Sequence, residues 1–242
     1  MNSLNQQLPN PHNNNQRTEK DFIGEVQLPR DYPFGINTYR AASNFAFSNQ
    51  RIRLDLFQAL IKVKKAAATA NLKAGLLEEE TANAIIAACD KIDDALDSDG
   101  NNENNGEKAN HPFVPPLHPF QGGAGTSTNM AANELIANLA LETLGKSYGD
   151  YDTVSPLNHV NLSQSTNDTY PTAVKIAILK GIKTLHDHVE SFLQALLRQE
   201  KNFAHVLKIG RTELQDAMPL SLGQEFSAWA ESITRFRWRL SK

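Results

Sequence analysis

The sequence predicts an all-α, mainly helical protein: a small N-terminal helical domain followed by the first part of a long central helix bundle. Apolar residues recur every three or four positions over five stretches, which is the period of an amphipathic helix. Polar segments rich in Gly, Asn and Pro separate these stretches. The two longest stripes cannot be covered within a small globule, so we expect these helices to pack on each other or on other subunits.

The N-terminal region is predicted to be irregular. Residues 1–17 are rich in Asn, Gln and Pro and have few apolar side chains to bury, so they are predicted to form a disordered tail. The predicted N-terminal domain covers residues 18–155. Its first part, 22–42, is predicted to be an irregular arm with one short hairpin. The turn formers of this arm are Gly24, Pro29, Pro33 and Gly35.

Two helices and a long loop follow the arm. The apolar stripes predict helices over 49–71 and 78–97, the first one ended by Gly75. Residues 98–121 contain Asn-Gly and several prolines, which favour turns over helix. We therefore expect a loop insertion at 98–121.

The remaining stretches predict the helices that carry the bundle. One helix is predicted from Met130 to Leu144, and a second from Thr169 to about Phe203. A short extended piece at 206–209 precedes the last helix, which is predicted to run from Pro219 toward Arg239. Residues 156–242 are predicted to be the start of an incomplete central bundle domain.

Composition and charge exclude several classes of protein. A net charge of −3 with scattered Lys and Arg gives no basic surface for nucleic acid, so no nucleic-acid partner is predicted. No apolar run reaches the 18 or so residues of a membrane span, so no membrane partner is predicted either. Cys89 is the single cysteine and is predicted to be a buried apolar residue. These features favour a cytoplasmic enzyme.

Three clusters of hydrogen-bond donors stand just ahead of predicted helices, at 122–130, 159–168 and 210–217. Helix N-termini, hydroxyls and amides together hold anions, so these clusters predict a site for a small carboxylic acid. The glycines at 122–125 lack the lysine of a phosphate-binding loop and favour close approach of backbone N–H groups to a ligand. For any single Ser, Thr or Asn, simple helix capping remains an alternative.

Hydrogen-bond donors that hold a carboxylate can also stabilise the charge that develops during a reaction. Removing a proton from the carbon next to a carboxylate gives a doubly charged aci-carboxylate, and preorganised donors stabilise this charge. One lost donor in such a site costs about 3 kcal/mol. No metal site is predicted, because His186 and His188 are two positions apart on a helix and His111 and His118 lie in a proline-rich loop.

The clusters carry a resemblance to a known family. The first reads Gly-Thr-Ser-Thr-Asn-Met at 125–130, the second His-Val-Asn at 159–161 with Ser-x-Ser-Thr-Asn-Asp at 163–168, and the third Gly-Arg-Thr at 210–212 with Gln-Asp-Ala at 215–217. These residues resemble the aspartase/fumarase superfamily of lyases. The resemblance runs from about Glu19 to the end of the chain, and 123–127 and 164–168 resemble the aspartase branch more than the fumarase branch.

The resemblance implies a reaction and a set of binding residues. The reaction is conversion of L-aspartate to fumarate and ammonia, without cofactor or metal, in a homotetramer whose active sites each draw on three chains. Asn167 is expected near the amino group, and Glu213 is expected in the same site. The residues expected to bind the carboxylates of the dicarboxylate substrate are Thr126, Ser127, Ser165, Thr166 and Thr212.

Departures from the family pattern leave alternatives open. The Gly-Ser-Ser loop that carries the general-base serine is absent, so no catalytic residue is assigned and the chain is expected to be an N-terminal half. Such a half could complement a C-terminal half or be a non-catalytic assembly fragment; a class II fumarate hydratase is the other alternative. Glu213 replaces the His or Gln of the family, and its carboxylate could meet the substrate ammonium, be protonated or turn away.

Overall fold

A computed structural model describes residues 15–44, 50–98, 111–121 and 124–242. They form two compact units, which divide between Ala177 and Ile178. Helices dominate both units, as predicted. The boundary that the sequence predicts at residue 155 stays a prediction.

The first unit begins with a β-hairpin, which starts earlier than the hairpin predicted within 22–42 because its first strand precedes that arm. Strands β1 (Gln16–Asp21) and β2 (Gly24–Pro29) pair antiparallel, with Gln16 opposite Pro29. The prediction of disorder over 1–17 was wrong for Gln16 and Arg17, because both residues belong to β1. Arg17 is held there by hydrogen bonds to the carbonyl groups of Pro29 and Tyr32, at 2.9 and 2.8 Å. Residues 1–14 of that tail lie outside the described part of the chain.

Helix α1 (Ile36–Asn44) occupies a stretch for which the sequence predicts no helix. Its first N–H groups find their acceptor far away in the chain. The buried carboxylate of Glu134 accepts hydrogen bonds from the backbone N–H groups of Asn37 and Thr38, at 2.9 and 3.1 Å. It also accepts from Gly35 N–H at 3.0 Å. This contact replaces the local N-cap that a sequence pattern would show.

Three helices form the core of the first unit: α2 (Leu54–Lys73), α3 (Glu79–Ser98) and α4 (Thr126–Thr143). Helix α2 starts later than predicted, since residues 50–53 are not helical, and α4 starts four residues earlier than Met130. Helix α4 is buried on all sides over 131–141. The largest fully buried apolar side chains of these helices are Phe57, Leu60, Ile61, Ile85, Ile92, Leu96, Leu135 and Ile136.

Loops bring the polar clusters to the core. Residues 99–110 of the predicted insertion lie outside the described chain, and 111–121 form a loop with Val114 and Leu117 buried. A π-helical turn at Pro156–Val160 follows α4 and leads to helix α5 (Thr166–Asn202), which begins three residues before the predicted Thr169.

The second unit contains the rest of α5, a hairpin and the last helix. Strands β3 (Leu207–Thr212) and β4 (Gln215–Ser221) pair antiparallel and extend the predicted 206–209 piece. The prediction that Pro219 opens the last helix was wrong: α6 spans Leu222–Leu240. A capping box between Ser221 and Gln224 fixes this start, since each side chain accepts from the other's backbone N–H.

Candidate active site

The first cluster forms the N-terminus of α4. Gly125 precedes the helix with φ of +86°, and a Cβ there would lie 2.5 Å from the ring of Tyr170, so both backbone and space require glycine. Thr126 is exposed and Ser127 half-buried in the first turn. The N–H of Thr128 is taken by the Gln121 side chain at 2.9 Å. Thr126 and, in part, Ser127 are thus accessible to solvent at the positive end of a helix.

The second cluster forms the N-terminus of α5. The Ser165 hydroxyl accepts a hydrogen bond from the N–H of Asn167 at 3.2 Å, which is a capping contact. Ser165 and Asn167 are exposed, whereas Thr166 is half-buried. The capping alternative therefore applies to Ser165. It does not account for Thr166, whose side chain points back toward α4.

One buried side chain joins the two helix N-termini. Asn129, one turn into α4, donates from its Nδ2 to Thr166 Oγ1 at 3.1 Å and to Asn161 Oδ1 at 3.2 Å. Its own Oδ1 accepts from the Thr169 hydroxyl at 3.3 Å. Five of the predicted site residues are thereby brought to two linked helix ends. They are Thr126, Ser127, Ser165, Thr166 and Asn167.

Lys64 is the part of this arrangement that the sequence does not reveal as functional. It lies on the buried face of α2 with no exposed surface, and its Nζ donates to Asn161 Oδ1 at 2.8 Å and to Gln164 Oε1 at 3.0 Å. Burial lowers the pKa of Lys64 from 10.5 to about 7. A signal was present in the sequence, because Lys64 and Asn71 occupy the helical face that also carries the apolar residues Phe57, Leu60, Ile61 and Ala68.

The remaining two predicted residues lie in the second unit. Thr212 ends β3 and Glu213 begins the two-residue turn to β4, both with exposed side chains. Glu213 and Leu214 have φ of +49° and +63°, which favour glycine or asparagine. Arg211 and Asp216 pair across the hairpin just below the turn, at 2.9 Å.

The described residues contain neither a cluster of metal-ligating side chains nor a membrane-spanning helix. Over these parts of the chain, no three His, Cys, Asp or Glu side chains lie together in a way that could hold a metal ion. Within the ranges 15–44, 50–98, 111–121 and 124–242, no helix is long and apolar enough to cross a membrane.

Comparison with known proteins identifies relatives over almost the whole chain. A family model described as lyase matches residues 24–242. The chain is 44% identical over 223 residues to an aspartate ammonia-lyase from a Bacillus species, covering 92% of this chain and 45% of that protein. It is 42% identical to the aspartate ammonia-lyase of Escherichia coli K12, covering 90% of this chain and 43% of that protein. The chain thus spans less than half the length of these relatives.

Solved structures share the fold. The fumarate lyase:delta crystallin from Brucella melitensis, in native form, superimposes with a TM-score of 0.80 at 46% identity, over 93% of this chain and 50% of that one. The class II fumarase from Schistosoma mansoni gives a TM-score of 0.75 at 29% identity, over 92% of this chain and 44% of that one. With a family model over residues 24–242 and relatives above 40% identity, this chain belongs to the aspartase/fumarase superfamily of lyases.

Proposed function

We propose that the protein containing this chain is an ammonia-lyase that converts L-aspartate to fumarate and ammonia. The observation that carries the proposal is the junction of two helix N-termini, α4 and α5, through the hydrogen bond from Asn129 to Thr166. Hydroxyls and N–H groups at this junction are suited to a carboxylate, and a dicarboxylate needs two such groups of donors.

The chemistry follows from what these donors do as charge develops. A base removes a proton from Cβ of aspartate, and the adjacent carboxylate takes up the charge as an aci-carboxylate. The electron pair then forms the double bond as the C–N bond breaks, and ammonia leaves. Donors that bind the carboxylate bind the aci-carboxylate more strongly, which lowers the barrier. No residue of this chain is assigned as the base.

Roles are proposed for the individual side chains on this basis. Asn167, at the exposed first turn of α5, is proposed to lie near the substrate amino group. Glu213, at the hairpin turn, is proposed to contribute a negative charge that favours an ammonium over a neutral hydroxyl. The side chains proposed to bind carboxylates are Thr126, Ser127, Ser165, Thr166 and Thr212.

The relatives support an ammonia-lyase over other reactions. Proteins named aspartate ammonia-lyase are 42–44% identical to this chain over about nine-tenths of its length. A second candidate is fumarate hydration, favoured by the likeness to the Schistosoma mansoni fumarase, although its identity to this chain is only 29%. The two reactions differ in the nucleophile that fumarate takes up in reverse. Fumarate should therefore be consumed only when ammonia is supplied.

We also propose that the protein assembles, as a homotetramer or by complementation with a C-terminal half. Helices α5 and α6 expose large apolar side chains within the second unit, a property of surfaces that pack against other chains. Those more than half exposed are Ile178, Leu179, Phe192, Trp229 and Trp238.

The binding residues are tested by single substitutions in the native-length protein, with fumarate formation followed by its ultraviolet absorbance. Thr126→Ala and Thr166→Ala should each lower kcat/KM for aspartate about 10²-fold, as expected for one lost donor. Thr143→Ala is the matched control, since Thr143 bonds the Leu139 carbonyl at the other end of α4. Undiminished rates in both test variants would remove these site assignments.

A further inference from the structure

We propose that Lys64 is a positioning residue of this active site, an inference that rests on the proposed function. Lys64 anchors a hydrogen-bond relay that runs through Asn161 and Asn129, and the backbone carbonyl that holds the Asn161 nitrogen gives the relay its direction. The relay makes its last member, Thr166, present its hydroxyl hydrogen to the substrate carboxylate. Without this direction the same hydroxyl could turn its lone pairs toward the anion.

The relay begins at two amide oxygens that are turned toward Lys64. The Gln164 side-chain nitrogen donates to the carbonyl groups of Val160 and Leu162, at 2.9 and 3.1 Å. The Asn161 side-chain nitrogen donates to the carbonyl of Gln164 at 3.1 Å. Because a carbonyl only accepts, each amide must point its nitrogen at the backbone and its oxygen at Lys64.

The orientation of Asn161 in turn fixes the orientation of the Asn129 side chain. Asn161 Oδ1 faces Asn129 as well as Lys64, so Asn129 must offer its Nδ2 to it, at 3.2 Å. The second hydrogen of the same nitrogen points at Thr166 Oγ1, at 3.1 Å. The Asn129 oxygen faces the Thr169 hydroxyl at 3.3 Å, and the single hydrogen of that hydroxyl has the Ser165 carbonyl as a second acceptor at 3.2 Å. The orientation of Asn129 is thus decided by Asn161, whose side-chain nitrogen is held by the Gln164 carbonyl.

The consequence appears at Thr166. Its oxygen accepts from Asn129, so its own hydrogen is not used in that bond and is available to a ligand. Thr166 is the first residue of α5, where the helix end also favours an anion. A hydroxyl held as a donor at this place strengthens its bond as charge grows on the carboxylate oxygens.

The burial of Lys64 fits a positioning role. Burying a lysine amine costs free energy that an apolar side chain on the same face of α2 would avoid. The neutral amine has two N–H groups, and two acceptors lie within hydrogen-bond distance, Asn161 Oδ1 and Gln164 Oε1. Lys64 therefore donates to the same two oxygens in its neutral and in its charged state.

A double-mutant cycle in the native-length protein tests the relay. Lys64→Met and Thr166→Ala should each lower kcat/KM for aspartate about 10²-fold, the cost of one donor. If Lys64 acts through Thr166, the double variant should also lose about 10²-fold. An additive loss of about 10⁴-fold would overturn the relay, since a structural role acts independently of Thr166. The control is Lys62→Met, whose half-exposed lysine pairs with Asp93 and touches none of the relay.

A second variant keeps the test decisive if Lys64→Met does not fold. Asn129→Ala cuts the relay in its middle and leaves the bonds from Lys64 in place. It too should be non-additive with Thr166→Ala, and additivity would again overturn the inference. Asn138→Ala controls for lost stability, because this buried asparagine of α4 bonds the Pro33 carbonyl and the Gly149 N–H away from the site. Asn138→Ala should lower Tm and leave KM for aspartate unchanged.

A measurement without turnover separates the two proposals. If the wild-type protein does not deaminate aspartate, the proposed function fails. The relay is then judged by nuclear magnetic resonance, from solvent exchange of the Asn129 side-chain amide hydrogens. These should exchange slowly in wild type and at least tenfold faster in Lys64→Met, because the Asn161 oxygen that holds Asn129 has lost its shortest hydrogen bond. Equal exchange in the two proteins would overturn the relay.

Discussion

A lysine with no exposed surface makes the stability of this protein depend on pH. The pKa of Lys64 falls to about 7 in the folded chain, while the unfolded chain keeps the ordinary value of 10.5. Between these values the unfolded state holds one more proton, so the free energy of unfolding rises with pH. Cys89 acts in the opposite sense only above its ordinary value of 9.0, because burial raises its pKa to about 12.

We therefore expect wild-type stability to increase by about 2 kcal/mol between pH 7 and pH 9, given at most about 1.4 kcal/mol per pH unit for one group. Lys64→Met should lack this increase, because methionine has no proton to lose. Urea unfolding at the two pH values measures both proteins. Parallel pH dependence in wild type and variant would show that Lys64 does not titrate in this range.

The same lysine shows where sequence reasoning stops at the residue scale. The hydroxyls of Thr126, Ser127, Ser165 and Thr166 could be selected because they stand in donor-rich motifs before helices, and the structure brings them to linked helix ends. Lys64 lies some hundred positions from its acceptor Gln164. Its role depends on the packing of α2 against the 156–165 segment, and periodicity alone presents it as a lysine on an apolar stripe.

At the scale of elements, the hairpin β3–β4 stores strain in its turn. Glu213 and Leu214 both have positive φ, and a two-residue turn of this kind favours Asn-Gly. Each non-glycine residue in this region costs about 1 kcal/mol or more. Such strain is retained where a side chain is needed, and Glu213 is proposed to face the substrate.

Replacing the turn by Asn-Gly should stabilise the hairpin and impair the site. We expect the double substitution Glu213→Asn and Leu214→Gly to raise stability by about 1 kcal/mol, because both residues tolerate positive φ. Loss of the Glu213 carboxylate, which is proposed to lie in the site, should raise KM for aspartate. Thermal unfolding and steady-state kinetics measure the two effects. A lower melting temperature would contradict the strain, and an unchanged KM would remove Glu213 from the site.

Helix starts show what local pattern can and cannot predict. The stripes of α2 to α5 were predicted because apolar side chains repeat along each helix. Helix α1 was missed because Glu134, almost a hundred positions away, supplies the acceptor for its N-terminus. The start of α6 was misplaced to Pro219 because proline suits a first turn. Pairing of Ile209 with Pro219 keeps that proline in β4, and Ser221 takes over as the cap.

At the scale of the whole molecule, the second unit has too little core of its own. Its buried apolar cluster consists of Leu193, Leu196 and Ala230, with Leu197, Phe226 and Ile233 packed against it. A cluster of this size offers little hydrophobic stabilisation, while nearby large side chains remain exposed. Both features are expected if α5 and α6 bury their stripes against other chains in the proposed assembly.

Charged substitutions on these stripes should therefore dissociate the native-length protein. We expect Leu179→Glu and Trp229→Glu, at side chains 65% and 51% exposed, to lower the molar mass measured by light scattering during size-exclusion chromatography. Burying a carboxylate in an apolar contact costs several kcal/mol, which is enough to shift assembly at micromolar concentration. Activity should fall with the mass if each active site draws on several chains.

The matched control is Phe22→Glu, at a fully exposed apolar side chain in the β1–β2 turn of the first unit. It adds the same charge and removes a comparable apolar surface, but from an element outside the helical stripes. Its mass and activity should equal those of wild type. If all three variants kept the wild-type mass, the exposed stripes of α5 and α6 would not be assembly surfaces. If all three variants lost molar mass equally, the added charge alone would explain the dissociation, and the apolar stripes of α5 and α6 would not be its cause.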